Sequence, residues 1–171
     1  MSETDTTTTE GSWPAEAGRD ASPPEPWLMR YGFEAGSIGV LFDPAQVTQV
    51  AELEGCCPLP NSAPWFLGLV NVQGTLVPVY DLARACGTAM AAAVRGQRKL
   101  LVIGQGARAA GIVIDGLPRR IPVHPLARGE GGVFPVPIAG HVIKAYRGAG
   151  REWLALDFHA LFHELCEAAS L

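Results

Sequence analysis

The hydrophobic and polar positions of this 171-residue chain follow the period of strands over most of its length. Residues 66–79 form a nearly continuous run of Leu, Val and Phe, which polar residues and a glycine interrupt at 71–75. This pattern is typical of two buried strands joined by a tight turn. Gly74 can adopt the positive φ that a two-residue hairpin turn requires. The predicted register pairs Val72 with Thr75, Asn71 with Leu76 and Val70 with Val77.

Shorter apolar runs with glycine-containing turns recur along the chain, and the last segment changes to the period of a helix. From Asp157, a good N-cap residue, apolar residues recur at i, i+3, i+4 and i+7 (Phe158, Leu161, Phe162 and Leu165). Residues 47–53 fit a helix or a strand equally well. Eight to ten short strands with little helix predict an all-β barrel or sandwich with a C-terminal helix.

Composition divides the chain into two zones. Residues 1–26 hold six acidic residues and one arginine, a balance of −5, and few large apolar side chains, so we predict a disordered acidic tail. Residues 27–171 then form one compact domain with a net charge of +1. This near-neutral domain gives no electrostatic reason to bind nucleic acid or anionic lipid. Because the chain starts with polar acidic residues and contains no long apolar run, we expect a cytoplasmic protein without direct membrane insertion.

Candidate chemical motifs are incomplete. His159, His163 and Cys166 share one face of the predicted helix, but a fourth zinc ligand is missing, so we predict no metal site. The glycine-rich segment 104–111 is followed by a strand-like sequence, and a hairpin turn is favoured over a dinucleotide-binding loop. No nucleophile and base have a catalytic spacing. We therefore predict no catalytic residues, no cofactor and no enzymatic activity.

The hairpin stretch GLVNVQGTLVPVYDL resembles the signature of CheW-like domains, the coupling proteins of bacterial chemosensory arrays. A second stretch, AAGIVIDGLPRRIPV, resembles another element of that family, and the resemblance covers about residues 28–166. The segments RGQRKLLVI and WLALDFHAL look most like the PilI-type branch, which serves type IV pilus chemosensory systems. The resemblance favours a strand at residues 47–53. It implies two small five-stranded SH3-like β-barrels that share a core.

The resemblance also implies a function as a non-catalytic adaptor in chemotaxis or twitching motility. The expected partners are the regulatory domain of a CheA-type histidine kinase and the cytoplasmic tip of methyl-accepting chemotaxis receptors. By position, Val47, Gly68 and Gly111 correspond to a receptor-facing groove, and Asn71 and Gly74 shape the hairpin. Each glycine fits a purely structural role equally well. A small-ligand or enzymatic protein that uses a cleft between the barrels is the alternative.

One pair departs from the family pattern. Family members commonly have Glu and Arg, opposite charges on neighbouring strands, where this chain has Gln49 and Gln73. Because both residues are neutral amides, neither leaves a buried charge unpaired, and the two can form a hydrogen bond. We include both residues in the predicted partner-binding site.

Overall fold

The structure is a computed structural model that describes residues 26–88 and 98–169. The predicted acidic tail lies outside the described residues except for Pro26, and so does the small-residue connection 89–97. Ten strands and three α-helices follow one another in the described chain: β1 (Leu28–Ala35), β2 (Ile38–Phe42), β3 (Val47–Glu52), β4 (Phe66–Val72), β5 (Thr75–Tyr80), α1 (Leu82–Ala85), β6 (Arg98–Ile103), β7 (Ala110–Asp115), β8 (Arg119–Pro125), α2 (Val136–Ala139), β9 (Val142–Gly148), β10 (Arg151–Leu156) and α3 (Phe158–Ala169).

Five strands close into the first barrel, in the order β1-β2-β10-β9-β8. The parallel pairing of β2 with β10, which sets Gly39 opposite Trp153, connects the two ends of the chain's β-structure. A side chain at Gly39 would meet the Trp153 ring at 2.8 Å, so glycine lets the indole lie flat against β2. Trp153 is fully buried, and its indole N–H donates to the Gly148 carbonyl at 2.9 Å. Trp153 packs with Leu41, Ile121, Val123 and Tyr146 in the apolar cluster of the first barrel.

The other five strands form a second sheet in the order β3-β6-β7-β5-β4, with β3 and β4 at its ends. Beyond β3 the chain returns to the outer edge of β4, where Cys57 and Leu69 exchange backbone hydrogen bonds of 2.8 and 2.9 Å. This bridge joins the chain segment after β3 to the edge of β4, and we call this five-stranded sheet the second barrel, although strand pairing closes only the first. One face of the sheet carries a cluster of buried apolar residues, which comprises Val70, Val77, Val79, Leu100, Val102, Ala109 and Val113.

The two barrels and α3 share one apolar core. It takes Phe33, Val40 and Phe42 from the first barrel and Tyr80, Ile112 and Ile114 from the second. The predicted apolar stripe of α3 completes it, with Phe158, Leu161 and Leu165 buried and Phe162 partly buried. A further link joins the barrels, because the Gly36 N–H donates to Asp115 Oδ2 at 2.9 Å.

The predicted fold class is confirmed: the chain is mostly β-structure, with one closed five-stranded barrel, a second five-stranded sheet that shares its core, and a C-terminal helix. The predicted hairpin register is also confirmed, since β4 and β5 pair Val72 with Thr75 and Val70 with Val77. Residues 47–52 form a strand, which settles the choice that periodicity left open. Asp157 caps α3 as predicted, accepting a hydrogen bond from the Ala160 N–H at 3.0 Å.

Candidate partner-binding site

The tip of the β4–β5 hairpin is a tight turn with two consecutive residues at positive φ. Gln73 has a φ of 50° and Gly74 a φ of 86°, as the mirror-image hairpin turns require. The Asn71 side chain accepts a hydrogen bond of 2.8 Å from the Gly74 N–H and fixes the turn from within. All three residues are exposed, so this ordered tip presents polar groups to solvent.

Gln73 and Gln49 are in contact. Gln73 Nε2 donates a hydrogen bond of 3.1 Å to Gln49 Oε1, which is the hydrogen bond expected from the sequence for this neutral pair. Gln49 lies on β3 and Gln73 lies at the tip of the β4–β5 hairpin, so the bond crosses between the two ends of the second sheet. The Gln73–Gln49 hydrogen bond is thus a second connection of this kind, besides the backbone bridge between Cys57 and Leu69.

Gly68 permits that backbone bridge. Its φ of +122° is rarely open to other residues, and an added Cβ would lie 2.0 Å from the Cys57 carbonyl oxygen. Gly68 is buried beneath the Cys57–Pro58 backbone, not on an open groove. In this structure, the glycine at position 68 leaves room for the backbone of Cys57 and Pro58 beside β4.

Gly111 also faces the protein's own interior. An added Cβ would lie 2.5 Å from Leu100 Cδ1, a residue of the second barrel's apolar cluster. The strand registers place Gly111 in one row with Gly68 and Gln49, through the intervening valines Val79 and Val102. The structure thus brings these three predicted residues into one row across the sheet, although the two glycines present no open surface there.

Val47 lies at the start of β3, opposite Ile103, and is half-buried against the shared core. The register shifts between Val47 and Gln49, so an irregularity separates the two predicted β3 residues. The role of the seven predicted residues in binding a partner stays a prediction. Their positions show a buried part and an exposed part: Gly68 and Gly111 are buried, Val47 and Gln49 are half-buried, and Asn71, Gln73 and Gly74 are exposed.

Leu76 is an exposed apolar residue beside this set that the sequence did not single out. It lies opposite Asn71, and 65% of its surface is exposed. In the sequence it belongs to a continuous apolar run, which is typical of a buried strand. On the same face of β5, α3 covers Tyr80, which stacks on Phe162, whereas Leu76 remains open to solvent.

Asp81, which belongs to the hairpin stretch GLVNVQGTLVPVYDL, is a buried carboxylate whose contacts the sequence did not predict. Only 1% of its surface is exposed, and Oδ2 accepts a hydrogen bond of 2.6 Å from Arg98 Nη2. Its other oxygen caps α1 by accepting from the Arg84 N–H at 3.0 Å. These contacts join the end of β5 to β6, so Asp81 has a structural role inside the second barrel.

An apolar groove of about 540 Å³ lies between α3 and the second barrel. Its floor includes Phe66, Leu69 and Tyr80, and Cys166 forms part of its wall. Residues of both barrels pack against each other in the shared core. Within the described residues, no three His, Cys, Asp or Glu side chains are grouped closely enough to hold a metal ion.

The partly buried thiols of Cys56 and Cys86 are poor nucleophiles. Burial raises the pKa of the Cys86 thiol to about 11. Burial, followed by the neighbouring Cys57, also raises the pKa of the Cys56 thiol. Both side chains therefore stay protonated at neutral pH, and a protonated thiol does not attack.

The glycine-rich segment 104–111 forms a single 3-10 turn at Gly106–Arg108 before β7, in agreement with the predicted hairpin turn.

Comparisons with known proteins agree on the family. The family model for the CheW-like domain matches residues 31–166. Protein PilI of Pseudomonas aeruginosa is 31% identical over 84 residues, which are 49% of this chain and 47% of that protein. The chain thus matches about half the length of this relative. The likeness to PilI that the sequence predicts is confirmed over that part.

A solved structure has the same fold. The crystal structure of scaffolding protein TtCheW from Thermoanaerobacter tengcongensis aligns with a TM-score of 0.65 over 86% of this chain and 93% of that chain, at 15% sequence identity. No helix among the described residues is long and apolar enough to span a bilayer. Since the family model covers both barrels and most of α3, this chain belongs to the CheW-like domain family.

Proposed function

We propose that this protein is a non-catalytic adaptor that joins chemoreceptors to a CheA-type histidine kinase in the cytoplasm. The observation that carries the proposal is the CheW-like match over residues 31–166, which includes every strand of the second barrel. The identity shared with Protein PilI supports a role in a type IV pilus chemosensory system. The partners are the kinase's regulatory domain and the cytoplasmic tip of a methyl-accepting receptor.

The proposed partner surface is the hairpin tip together with the adjoining part of β3. Asn71, Gln73 and Gly74 supply exposed polar groups in a fixed turn, and Leu76 supplies an exposed apolar side chain beside them. Val47, Gln49, Gly68 and Gly111 support this surface from β3 and from the row beneath it. An apolar anchor surrounded by polar groups is a common design of binding surfaces.

Calorimetric titration tests the proposal. The full chain is titrated with the regulatory domain of each CheA-type kinase of the same genome, and separately with receptor tip fragments. We expect micromolar or tighter binding to one kinase domain, as for a specific transient contact. A folded chain that binds none of these kinase domains and no receptor fragment contradicts the proposal.

The chain offers a matched pair of variants for locating the surface. Leu76→Lys places a charge on the proposed surface, and Leu117→Lys makes the same change at a residue that is equally exposed, at 66% against 65%, in the β7–β8 turn. We expect Leu76→Lys to weaken binding of at least one partner by about tenfold or more, because the charge must be desolvated. Leu117→Lys leaves the affinity unchanged. Equal effects of the two variants contradict the placement of the surface.

A further inference from the structure

The outer face of β1 carries an apolar stripe that runs out of the shared core into solvent. Alternate residues of a strand share a face. Ala35 and Phe33 are buried in the shared core, and the stripe then continues through Tyr31, Met29 and Trp27, which are 40%, 51% and 64% exposed. We call these three exposed residues the β1 stripe. Exposed apolar side chains that continue a core are candidates for a covered surface.

Strand β8 adds basic groups beside the stripe. Arg120 lies opposite Tyr31, and Pro122 lies opposite Met29. The His124 ring packs edge-on against Trp27, with ring centroids 4.8 Å apart. In residues 26–88 and 98–169, Arg120 has no ion-pair partner, whereas its neighbour Arg119 pairs with Glu34 at 2.6 Å. The β1 stripe therefore has an uncompensated cation along one side.

Charge is unevenly divided between the parts of the chain. Residues 28–42 and 119–156, which build the first barrel, hold seven Lys and Arg against three Asp and Glu, a balance of +4. Residues 1–25 hold six acidic residues and one arginine, a balance of −5. The net charge of residues 27–171 is only +1, so the charge of the whole domain does not reveal that the first barrel is basic. The acidic segment joins it at Pro26, directly beside the exposed end of the β1 stripe.

We propose that the acidic segment of residues 1–25 binds the β1 stripe of its own chain, with Trp13 against the stripe and acidic side chains near Arg120. The segment contains only one large aromatic residue, Trp13, and it has the opposite charge to the barrel. Residues 14–26 can span roughly 40 Å when extended, and the stripe from Trp27 to Tyr31 measures roughly 13 Å. The segment is long enough to turn back over β1.

Intramolecular binding is favoured over a second copy of the chain. A two-fold contact between two β1 stripes brings two barrels of +4 charge together, and like charges disfavour such an interface. Covalent linkage, in contrast, gives the acidic segment a high effective concentration at the stripe. Because much of the attraction is between exposed charges, salt weakens the contact. A partner that needs this face of the first barrel must displace the segment.

Methyl NMR of the full chain tests the proposal. The chain has three methionines, so selective ¹³C labelling of their methyl groups gives three signals, and Met29→Leu identifies the one from the stripe. The comparison variant is the full chain with its six acidic tail residues replaced by amides, namely Glu3→Gln, Asp5→Asn, Glu10→Gln, Glu16→Gln, Asp20→Asn and Glu25→Gln. The indole N–H signal of Trp153, which is bonded to Gly148, reports whether each variant is folded.

We expect the Met29 methyl resonance to differ between the wild-type chain and the amide variant. High salt and Trp13→Ala move the wild-type signal toward the position of the amide variant. Arg120→Gln shifts the Met29 resonance in the wild-type chain but causes no further shift in the amide variant. The control is Arg108→Gln, which replaces an exposed arginine of the second barrel and has no effect in either background. An unchanged Met29 resonance in a folded amide variant overturns the proposal. A resonance that depends on protein concentration identifies a second copy as the occupant and overturns it as well.

Discussion

Gln73 at the tip of the β4–β5 hairpin donates a 3.1 Å hydrogen bond to Gln49 on β3, and this bond joins the two ends of the second sheet. Gln73→Arg alone introduces a cation with no counter-charge at Gln49, so we expect weaker partner binding or lower stability. Gln49→Glu together with Gln73→Arg restores the loss. A double-mutant cycle, measured by urea unfolding and by calorimetry, should give a coupling energy of about 0.5 kcal/mol for this exposed pair.

The control for this cycle is Gln105→Arg, the same substitution at an exposed glutamine whose side chain caps no helix. It should change neither stability nor binding measurably. Strict additivity of the Gln49 and Gln73 substitutions refutes the coupling.

Gly68→Ala should be among the most destabilising single substitutions in the second barrel. The new methyl group meets the Cys57 carbonyl oxygen at 2.0 Å, and the residue has a φ of +122°. The backbone strain and the forced shift of the Cys57 bridge together lower the free energy of unfolding by about 3 kcal/mol or more. Gly116→Ala is the matched control, because Gly116 has a φ of +78° and open space around it. It should cost roughly 1 kcal/mol from backbone strain alone. If urea unfolding gives the same loss in the free energy of unfolding for the two variants, the Cys57–Leu69 bridge does not contribute to stability.

Asp81→Asn separates the buried ion pair from the helix cap. Asparagine keeps an oxygen to cap α1 but removes the charge that Arg98 contacts at 2.6 Å. Because Asp81 is fully buried and Arg98 is partly exposed, we expect a loss of about 2 kcal/mol in the free energy of unfolding. Glu52→Gln removes the partner of Lys99 in an exposed pair and should cost less than about 1 kcal/mol. A loss for Asp81→Asn no larger than that of Glu52→Gln shows that the buried pair contributes little.

Cys86 should be alkylated slowly and with a steep dependence on pH. The thiolate is the reactive form, and a pKa of about 11 leaves roughly one thiol in a thousand ionised at pH 8. The ionised fraction, and with it the rate, rises by about a hundredfold from pH 8 to pH 10. Exposed Cys57 and Cys166 serve as internal references in the same iodoacetamide reaction, followed by peptide mass spectrometry. Modification of Cys86 at the rate of Cys57 at pH 8 contradicts this prediction.

Local patterns were sufficient to predict much of the fold. The alternation of residues 66–79 and the flexibility of Gly74 gave the hairpin register, and the spacing of Phe158 and Leu161 gave the buried face of α3. These features depend on neighbours in sequence. Family resemblance was needed for the strand at residues 47–52, because periodicity alone did not distinguish a strand from a helix there.

Features that depend on distant parts of the chain were not predictable. The burial of Asp81 depends on Arg98, and the need for glycine at position 68 depends on the return of the chain at Cys57. The exposure of Leu76 depends on where α3 stops covering β5. The basic surface of the first barrel arises because residues 28–42 and 119–156, far apart in sequence, form one barrel.

Reconstitution of receptor control over the kinase tests the adaptor function most directly. Receptor-containing membranes and the CheA-type kinase are combined with and without the full chain, and kinase autophosphorylation is measured. We expect kinase activity to respond to the receptor only when the chain is present. Leu76→Lys should lose this response, and Leu117→Lys should retain it. A kinase that responds equally to the receptor with and without the folded chain contradicts the proposed adaptor function.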